Sequence, residues 1–457
     1  MNASQYKKSI ENKKISVVGV GISNVPLIKF LLEGGAKVTA HDKRTAEQLG
    51  DAYNELKLLG TEFMLGEEYL DSIPKDTEVI FKTPGLRPDV SQLVAAKEKG
   101  AIITSEMELF FELCPCEIIA VTGSDGKTTT TSLIGEMLKK EGYNCYIGGN
   151  IGKPLIGEVE NMKKDDKVVL ELSSFQLFSM KHSADIAVVT NVTPNHLDWH
   201  KDFDEYVESK KSIFRNNKNC RVVLNYDNEI TRDFAKCTEN PMYFSRQNDL
   251  SQGLTLTDGK IVLKINGEEE EVIKAEDIKI PGVHNIENYM AAIGAVYPFV
   301  STKTIEYTAK NFGGVPHRIE LVREFDGVRY YNDSIASSPA RTTAGLKSFG
   351  QKVVLIAGGY DKKIPFDEFG SVVNQHVKEL VLIGVTSKKI EDAVRNASNF
   401  EGIKIHCETD FKDAINRARK CAKPGDVVIL SPACASFDLF KNFEERGNIF
   451  KEIVNNF

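Results

Sequence analysis

The sequence predicts an α/β protein of three domains, each built on a mainly parallel sheet with helices packed on its faces. Three observations point there. Short β-branched runs alternate with helical stretches almost throughout, which is the pattern of strand-helix-strand units. The 457 residues exceed what one hydrophobic core organises. Two glycine turns, at Gly19 and at Gly123, each follow an apolar strand and open a helix, as phosphate-binding turns do in such sheets.

Taken in order, residues 1–106 carry strands at 15–20, 37–41, 78–81 and 101–104, with a Gly19-Val-Gly21 turn after the first, and read as a Rossmann-like domain. Residues 107–314 carry strands at 117–122, 167–172, 185–190 and 221–225, then a hairpin region with turns at Asp258-Gly259 and Asn266-Gly267. The loop after residue 122 makes this a P-loop ATPase-like domain with a parallel sheet. Residues 315–457 follow a Gly313-Gly314-Val315-Pro316 hinge. Their strands at 353–357, 380–384 and 427–431 are continuously apolar, as in a second Rossmann-like parallel sheet.

Composition excludes several classes. A net charge of -7 without a sustained Lys/Arg run argues against nucleic acid as the main partner. No segment reads as a membrane span, and the polar, lysine-bearing start lacks the apolar core of a secretory signal, so a cytoplasmic protein is expected. The eight cysteines are scattered without paired CxxC spacing, and Cys114-Pro-Cys116 reads as a linker.

The chemistry starts at the loop Gly123, Ser124, Asp125, Gly126, Lys127, Thr128, Thr129. A tight turn at a helix start aims backbone N–H groups and the helix dipole at one point, where phosphate is favoured. Lys127 adds a point charge, and Thr128 a hydroxyl for Mg2+. Val121 stands where the usual pattern has its first glycine, so the loop is a shorter variant that holds ATP or GTP. The Gly19 turn, with Asp42 ending the next strand, admits two readings because Asn24 replaces the third glycine. It takes either NAD(P) or the diphosphate of another nucleotide-linked substrate, with Asp42 or Arg44 near the nucleoside. Glu171 and His196 fall at strand ends, where an open α/β sheet places its ligand chemistry, and are candidate Mg2+ ligands. His200, in His196-Leu-Asp198-Trp-His200, has no assigned role.

Thr122 to Thr129, Gly149-Asn150-Ile-Gly152, Glu171-Leu-Ser-Ser-Phe-Gln176, Asn191 to Asp198, His284-Asn285 with Asn288, Pro316-His-Arg318, Asn332-Asp333-Ser334 and Leu430 to Ser436 together resemble the Mur ligases across nearly the whole chain. The resemblance implies an ATP-dependent ligase of peptidoglycan synthesis that joins glutamate to UDP-N-acetylmuramoyl-L-alanine. The γ-phosphoryl group would activate the alanyl carboxylate as an acyl phosphate, and the glutamate amine would displace phosphate.

By motif position, the resemblance gives Lys127 to the β and γ phosphates, Thr128 and Glu171 to one Mg2+, and His196 to a second. It identifies Lys210 as a lysine that becomes carbamylated, with the adjacent Lys211 as the alternative. Ile22, Ser23, Asp42, Lys43, Arg44 and Gly85 would surround the uridine diphosphate, with Asn150 at the muramoyl-alanine end. Asn288, Arg318 and Asp333 would contact the nucleotide. Ser337, Lys362, Ser436, Phe437 and Phe443 would form the glutamate pocket. A monomer that changes its domain arrangement during the reaction is expected.

One departure is chemically large. Where the family often has lysine, this chain has Ile335, so either another basic residue, Arg341 or Lys363, supplies the cation, or the chain belongs to a subgroup that manages ATP differently. The departure leaves room for L-glutamate instead of the D enantiomer. A nucleotide-binding regulator without ligase activity is the alternative of a different class.

Overall fold

The computed structural model describes residues 1–457, which fall into two compact units. The first comprises Met1–Ala275 with Ile286–Thr308, and the second Glu276–Asn285 with Ala309–Phe457.

The first unit holds two sheets. One is a five-stranded parallel sheet in the spatial order Glu62–Leu65, Lys37–Asp42, Lys14–Val18, Val79–Lys82, Ile102–Thr104. Its central strands are almost wholly buried, Val17, Val18, Ile80 and Phe81 among them, because helices cover both faces. The strand order reverses beside Lys14–Val18, which opens a crevice at the carboxyl ends of that strand and of Val79–Lys82.

The other sheet has nine strands, in the order Cys145–Gly149, Lys167–Glu171, Glu117–Thr122, Ile186–Val189, Arg221–Asn225, Pro241–Ser245, Gly253–Thr257, Lys260–Ile265, Glu268–Lys274. All pairings as far as Gly253–Thr257 are parallel, and the last two are antiparallel. The two expected hairpin turns are present. Asp258 and Gly259, then Asn266 and Gly267, all take positive φ, the requirement of the tight turn that matches strand twist.

The second unit is a six-stranded sheet in the order Glu320–Phe325, Val328–Asn332, Val427–Leu430, Val353–Ala357, Val377–Leu382, Lys404–Cys407. Only the first pair is antiparallel. The central strand Val353–Ala357 is fully buried. No helix is long and apolar enough to cross a membrane.

The expected α/β architecture on three mainly parallel sheets is therefore present. Strands not foreseen include Glu62–Leu65, Cys145–Gly149 and Lys404–Cys407, each at a sheet edge and each only partly buried. An edge strand needs no continuous apolar run, so it leaves a weak mark on the sequence.

Candidate active site

Glu117–Thr122 is buried on both faces, and at its carboxyl end the chain turns through Gly123 (φ 153°) and Gly126 (φ 80°) into the helix Lys127–Glu141. Both glycines are required sterically. A Cβ on Gly123 would lie 1.9 Å from Thr190 Oγ1, and one on Gly126 would lie 2.4 Å from Asn288 Oδ1. No side chain caps this helix. The loop is held from the neighbouring strand end. Ser124 N–H donates to Asn191 O, and Asp125 N–H to Asn191 Oδ1, both at 2.9 Å. Those two amides are thereby engaged, which points to the N–H groups at Gly126 and the first helical turn, the ones an α-helix does not use in its own ladder, as the phosphate donors.

Lys127 Nζ turns back onto the loop and donates to Gly123 O at 3.0 Å and Ser124 O at 2.9 Å. A second lysine reaches the same place. Lys210, on the helix Phe203–Lys211, is 1 % exposed, and its Nζ also donates to Gly123 O at 3.0 Å. Burial, and then the Lys127 charge, push the Lys210 amine well below the usual lysine range, against an opposing pull from Asp125. Lys211 lies one residue on and points elsewhere, paired with Glu208 at 2.5 Å. Tyr206, one turn earlier, shares a 2.9 Å hydrogen bond with Ser124 Oγ and ties this helix to the loop.

Glu171 ends the strand beside the loop and is 2 % exposed. Its Oε1 accepts from Asn150 Nδ2 at 2.8 Å, whereas its buried Oε2 has no hydrogen-bond partner. An unpartnered buried carboxylate oxygen is costly unless a cation uses it. Together with the buried Thr128 at the helix start, this donor set fits Mg2+. His196 lies on an exposed turn with φ 55°, its ring 4.9 Å from that of Phe175. Partial desolvation, aided by the Lys127 and Lys210 charges and opposed by Asp198, lowers its pKa and favours the neutral imidazole. His200 is a buried packing residue whose Nε2 meets Ser174 Oγ at 3.0 Å.

At the carboxyl ends of the five-stranded sheet, Asn24 explains the missing third glycine of the Gly19 turn. It is buried, and its amide donates to Gly19 O at 2.8 Å and Val18 O at 3.3 Å. Asp42 accepts from Val20 N–H at 2.7 Å and is clasped by Arg44 at 2.8 and 3.0 Å. Burial works against the charge, yet the Arg44 and Val20 hydrogen bonds hold this carboxyl below its usual range. Ile22 is 83 % exposed above the turn, and Lys43 pairs with Glu67 at 3.1 Å. Gly85 O accepts from the indole N–H of Trp199 at 2.8 Å, which joins this end to the nine-stranded sheet's loop. Arg87 strengthens that junction and was not anticipated. It bonds Asp89, Glu205 and Trp199 O, and its guanidinium lies 5.0 Å from the rings of both Phe178 and Trp199. The single tryptophan was the only hint in the sequence.

The second unit brings Ser337 and Lys362 together, with Lys362 Nζ donating to Ser337 Oγ at 3.2 Å. Arg341 Nη1 donates to Ile335 O at 3.4 Å, so a guanidinium stands beside the position that lacks the family lysine. Lys363 sits in the left-handed region with its N–H on Asp361. Asp333 is buried, accepts from Ser431 Oγ at 2.6 Å and Ile319 N–H at 3.3 Å, and burial raises its pKa to about 7. Ser436 is buried, Phe437 is largely exposed with its ring 6.0 Å from that of Tyr360, and Phe443 opens the helix Phe443–Asn455 with its ring edge on His317. Arg446, also unforeseen, is a buried guanidinium that donates to Ser334 O and Oγ and to the Cys434 and Ala435 carbonyls. It pins two of the motif loops to each other. Arg318 lies just after the left-handed His317, its N–H donating to Val315 O.

A phosphate loop at one sheet and a crevice at the carboxyl ends of another define a nucleotide-dependent enzyme scaffold, and comparison with known proteins makes the class specific. Residues 121–296 match the Mur ligase middle domain, and residues 317–434 match the Mur ligase, glutamate ligase domain. The chain is 51% identical over 459 residues to the UDP-N-acetylmuramoylalanine--D-glutamate ligase of Ruminiclostridium cellulolyticum, covering 99% of this chain and 98% of that protein. It is 55% identical over 458 residues to the ligase of the same name from Acetivibrio thermocellus, with the same coverage. The crystal structure of the UDP-N-acetylmuramate-alanine ligase MurC from Thermotoga maritima superimposes with a TM-score of 0.56 at 19% identity, covering 97% of this chain and 99% of that one, which marks a shared fold. The chain belongs to the Mur ligase family.

Proposed function

We propose that this protein is the ATP-dependent ligase that adds D-glutamate to UDP-N-acetylmuramoyl-L-alanine in peptidoglycan synthesis, releasing ADP and phosphate. The observation that carries the reading is the convergence of Lys127 and Lys210 on Gly123 O beside the unpartnered Glu171 Oε2. The full-length identity to ligases named for D-glutamate supports that enantiomer.

The reaction must bring an anionic carboxylate to an anionic γ-phosphoryl group, so its barrier is chiefly electrostatic. The amides of Gly126 and the first helical turn orient the phosphates. Lys127 exchanges its loop carbonyls for phosphate oxygens when the nucleotide arrives. Thr128 and Glu171 would hold one Mg2+ and His196 a second, and the metal would supply charge neutralisation. Lys210, whose pKa burial pushes well below the usual lysine range, is the amine suited to carbamylation, which requires the unprotonated form. Addition of CO2 to that amine, with loss of one proton, would place an anion beside Lys127 that supports the metal.

Asp42, Arg44, Ile22, Ser23, Lys43 and Gly85 are assigned to the uridine diphosphate, and Asn150, which donates to Glu171 Oε1, to that substrate's acyl end. The pair Ser337 and Lys362, with Ser436, Phe437 and Phe443, is assigned to glutamate. Arg341 is assigned as the cation that replaces the lysine missing at Ile335. We place the domain boundaries at 1–106, 107–314 and 315–457, and the enzyme in the cytoplasm as a monomer.

The test is an assay with ATP, Mg2+, UDP-N-acetylmuramoyl-L-alanine and either D- or L-glutamate. Phosphate release that requires both the nucleotide substrate and D-glutamate is expected. No product with either enantiomer from folded protein, or product with L-glutamate alone, overturns the reading.

A further inference from the structure

At one edge of the six-stranded sheet, three side chains of metal-ligating type meet outside the residues assigned above. Glu379 lies on Val377–Leu382, and His406 on the neighbouring strand Lys404–Cys407, in a register that pairs Glu379 with Lys404 and Val381 with His406. The alternation of side chains along parallel strands therefore puts Glu379 and His406 on one face. The helix Phe411–Cys421 covers that face through Ala414, Ile415 and Ala418, which join Val381 in one core cluster. Its last residue is Cys421. His406 Nε2 lies 3.0 Å from Glu379 Oε2 and 3.6 Å from Cys421 Sγ, and all three donor atoms fall within 4.8 Å of one another.

We propose that Glu379, His406 and Cys421 form a Zn2+ site, closed by a water in the fourth position and separate from the Mg2+ positions of the ligase reaction. The donor set decides the metal. One imidazole nitrogen, one sulfur and one carboxylate oxygen suit zinc, whereas Mg2+ and Ca2+ take oxygen donors. The spacing agrees. Zinc bonds of about 2.0 Å to nitrogen or oxygen and about 2.3 Å to sulfur allow donors to lie up to about 4 Å apart, and the two measured separations fall inside that span.

The surroundings favour a cation as well. Cys421 ends its helix, where the carbonyl end of the macrodipole attracts positive charge. All three residues are half-buried, which leaves an entry path while partly excluding solvent. The nearby cations are occupied or exposed and distant. Arg417 is held by Glu408 at 2.8 Å, and the exposed Lys404 amine reaches Glu379 Oε1 only at 3.9 Å. Without metal, burial and then Glu379 push the Cys421 thiol up to about 12, so zinc binding must displace the thiol proton into solvent as the Zn–S bond forms. The helix runs back from the carboxyl ends of the strands, so the site lies away from the loops that carry the ligase motifs. Its effect would be to fasten helix to sheet edge.

The test is titration of the full-length protein with Co2+ as a spectroscopic substitute. A thiolate-to-cobalt charge-transfer band saturating at one equivalent, and abolished by added Zn2+, is expected. The Mg2+ positions contain no cysteine and cannot give that band. Cys421→Ser should remove it and weaken Zn2+ at least tenfold, His406→Ala should weaken Zn2+ comparably, and Cys407→Ser should leave both unchanged. Zn2+ should raise the melting temperature of the wild type but not of Cys421→Ser. Absence of the band, its persistence in Cys421→Ser, or its loss in Cys407→Ser overturns the proposal.

Discussion

Lys127 and Lys210 meet at one atom: each donates its ammonium or amine hydrogens to Gly123 O at 3.0 Å. Two cations cannot share a buried carbonyl cheaply, and burial, then the Lys127 charge, lowers the pKa of Lys210 well below the usual lysine range. Lys210→Ala should therefore reduce ligase turnover by about two orders of magnitude or more, within the range for loss of a transition-state charge partner. Short carboxylic acids added to the variant should restore part of it by occupying the carbamate's place. Lys211→Ala, which removes a pair with Glu208 and a contact with the Phe234 ring but nothing at the phosphate loop, should stay close to wild type in turnover. Equal loss in both variants, or turnover by Lys210→Ala unchanged, rejects the assignment.

Gly126→Ala tests the loop itself. The left-handed backbone at φ 80° costs a side-chain-bearing residue about 1–2 kcal/mol, and the added Cβ meets Asn288 Oδ1. Denaturant unfolding should show a loss of that size or somewhat more, with ATP affinity reduced at least tenfold. Combining it with Asn288→Ala should recover the steric part of the stability loss and not the backbone part. Strict additivity of the two variants would contradict a direct clash.

Much of this site was legible in the sequence because its carriers are local. A buried strand running into a glycine turn and a helix is a contiguous signal, and the helical phase of Tyr206, Lys210 and Ile213 separates Lys210 from Lys211; all three are buried. What stayed hidden depends on contacts between distant segments. Arg87 meets Glu205 118 residues away, Arg446 meets Ser334 112 residues away, and Asn191 takes two loop amides from 66 and 67 residues off, counted along the chain. Neither periodicity nor a local motif announces such pairs. The edge strand Lys404–Cys407 escaped for a different reason, having no fully buried position.

The Arg87–Glu205 pair gives a pH-dependent prediction. Arg87 hydrogen bonds hold the Glu205 carboxyl at about 2, below its ordinary value of 4.5. A depressed carboxylate contributes stability that is present above the unfolded pKa and lost as pH falls toward the folded one. Wild type should thus exceed Glu205→Gln in stability at pH 7 by about 1–2 kcal/mol, after allowance for partial solvent screening, and the gap should close between pH ~4.5 and ~2. Melting temperatures of the two proteins across that window provide the measurement. A gap independent of pH would assign Glu205 a packing role only.

Asp333 predicts the opposite slope. Its carboxyl is buried, and its pKa rises from 3.8 to about 7, so the folded state holds a proton that the unfolded state has released. The stabilisation is fully present below pH ~4 and declines as pH rises to ~7, beyond which it changes no further. Asp333→Asn keeps an uncharged group of the same shape between Ser431 and Ile319 N–H, and should remove this dependence. Subtracting the variant's unfolding free energy from that of the wild type isolates the one group from all others that titrate in the same range. The difference should fall by on the order of a few kcal/mol between pH 4 and 7. A difference that rises with pH would mean that Asp333 is ionised in the folded protein, with Arg318 or Arg341, the two cations whose fields reach it, dominating over burial.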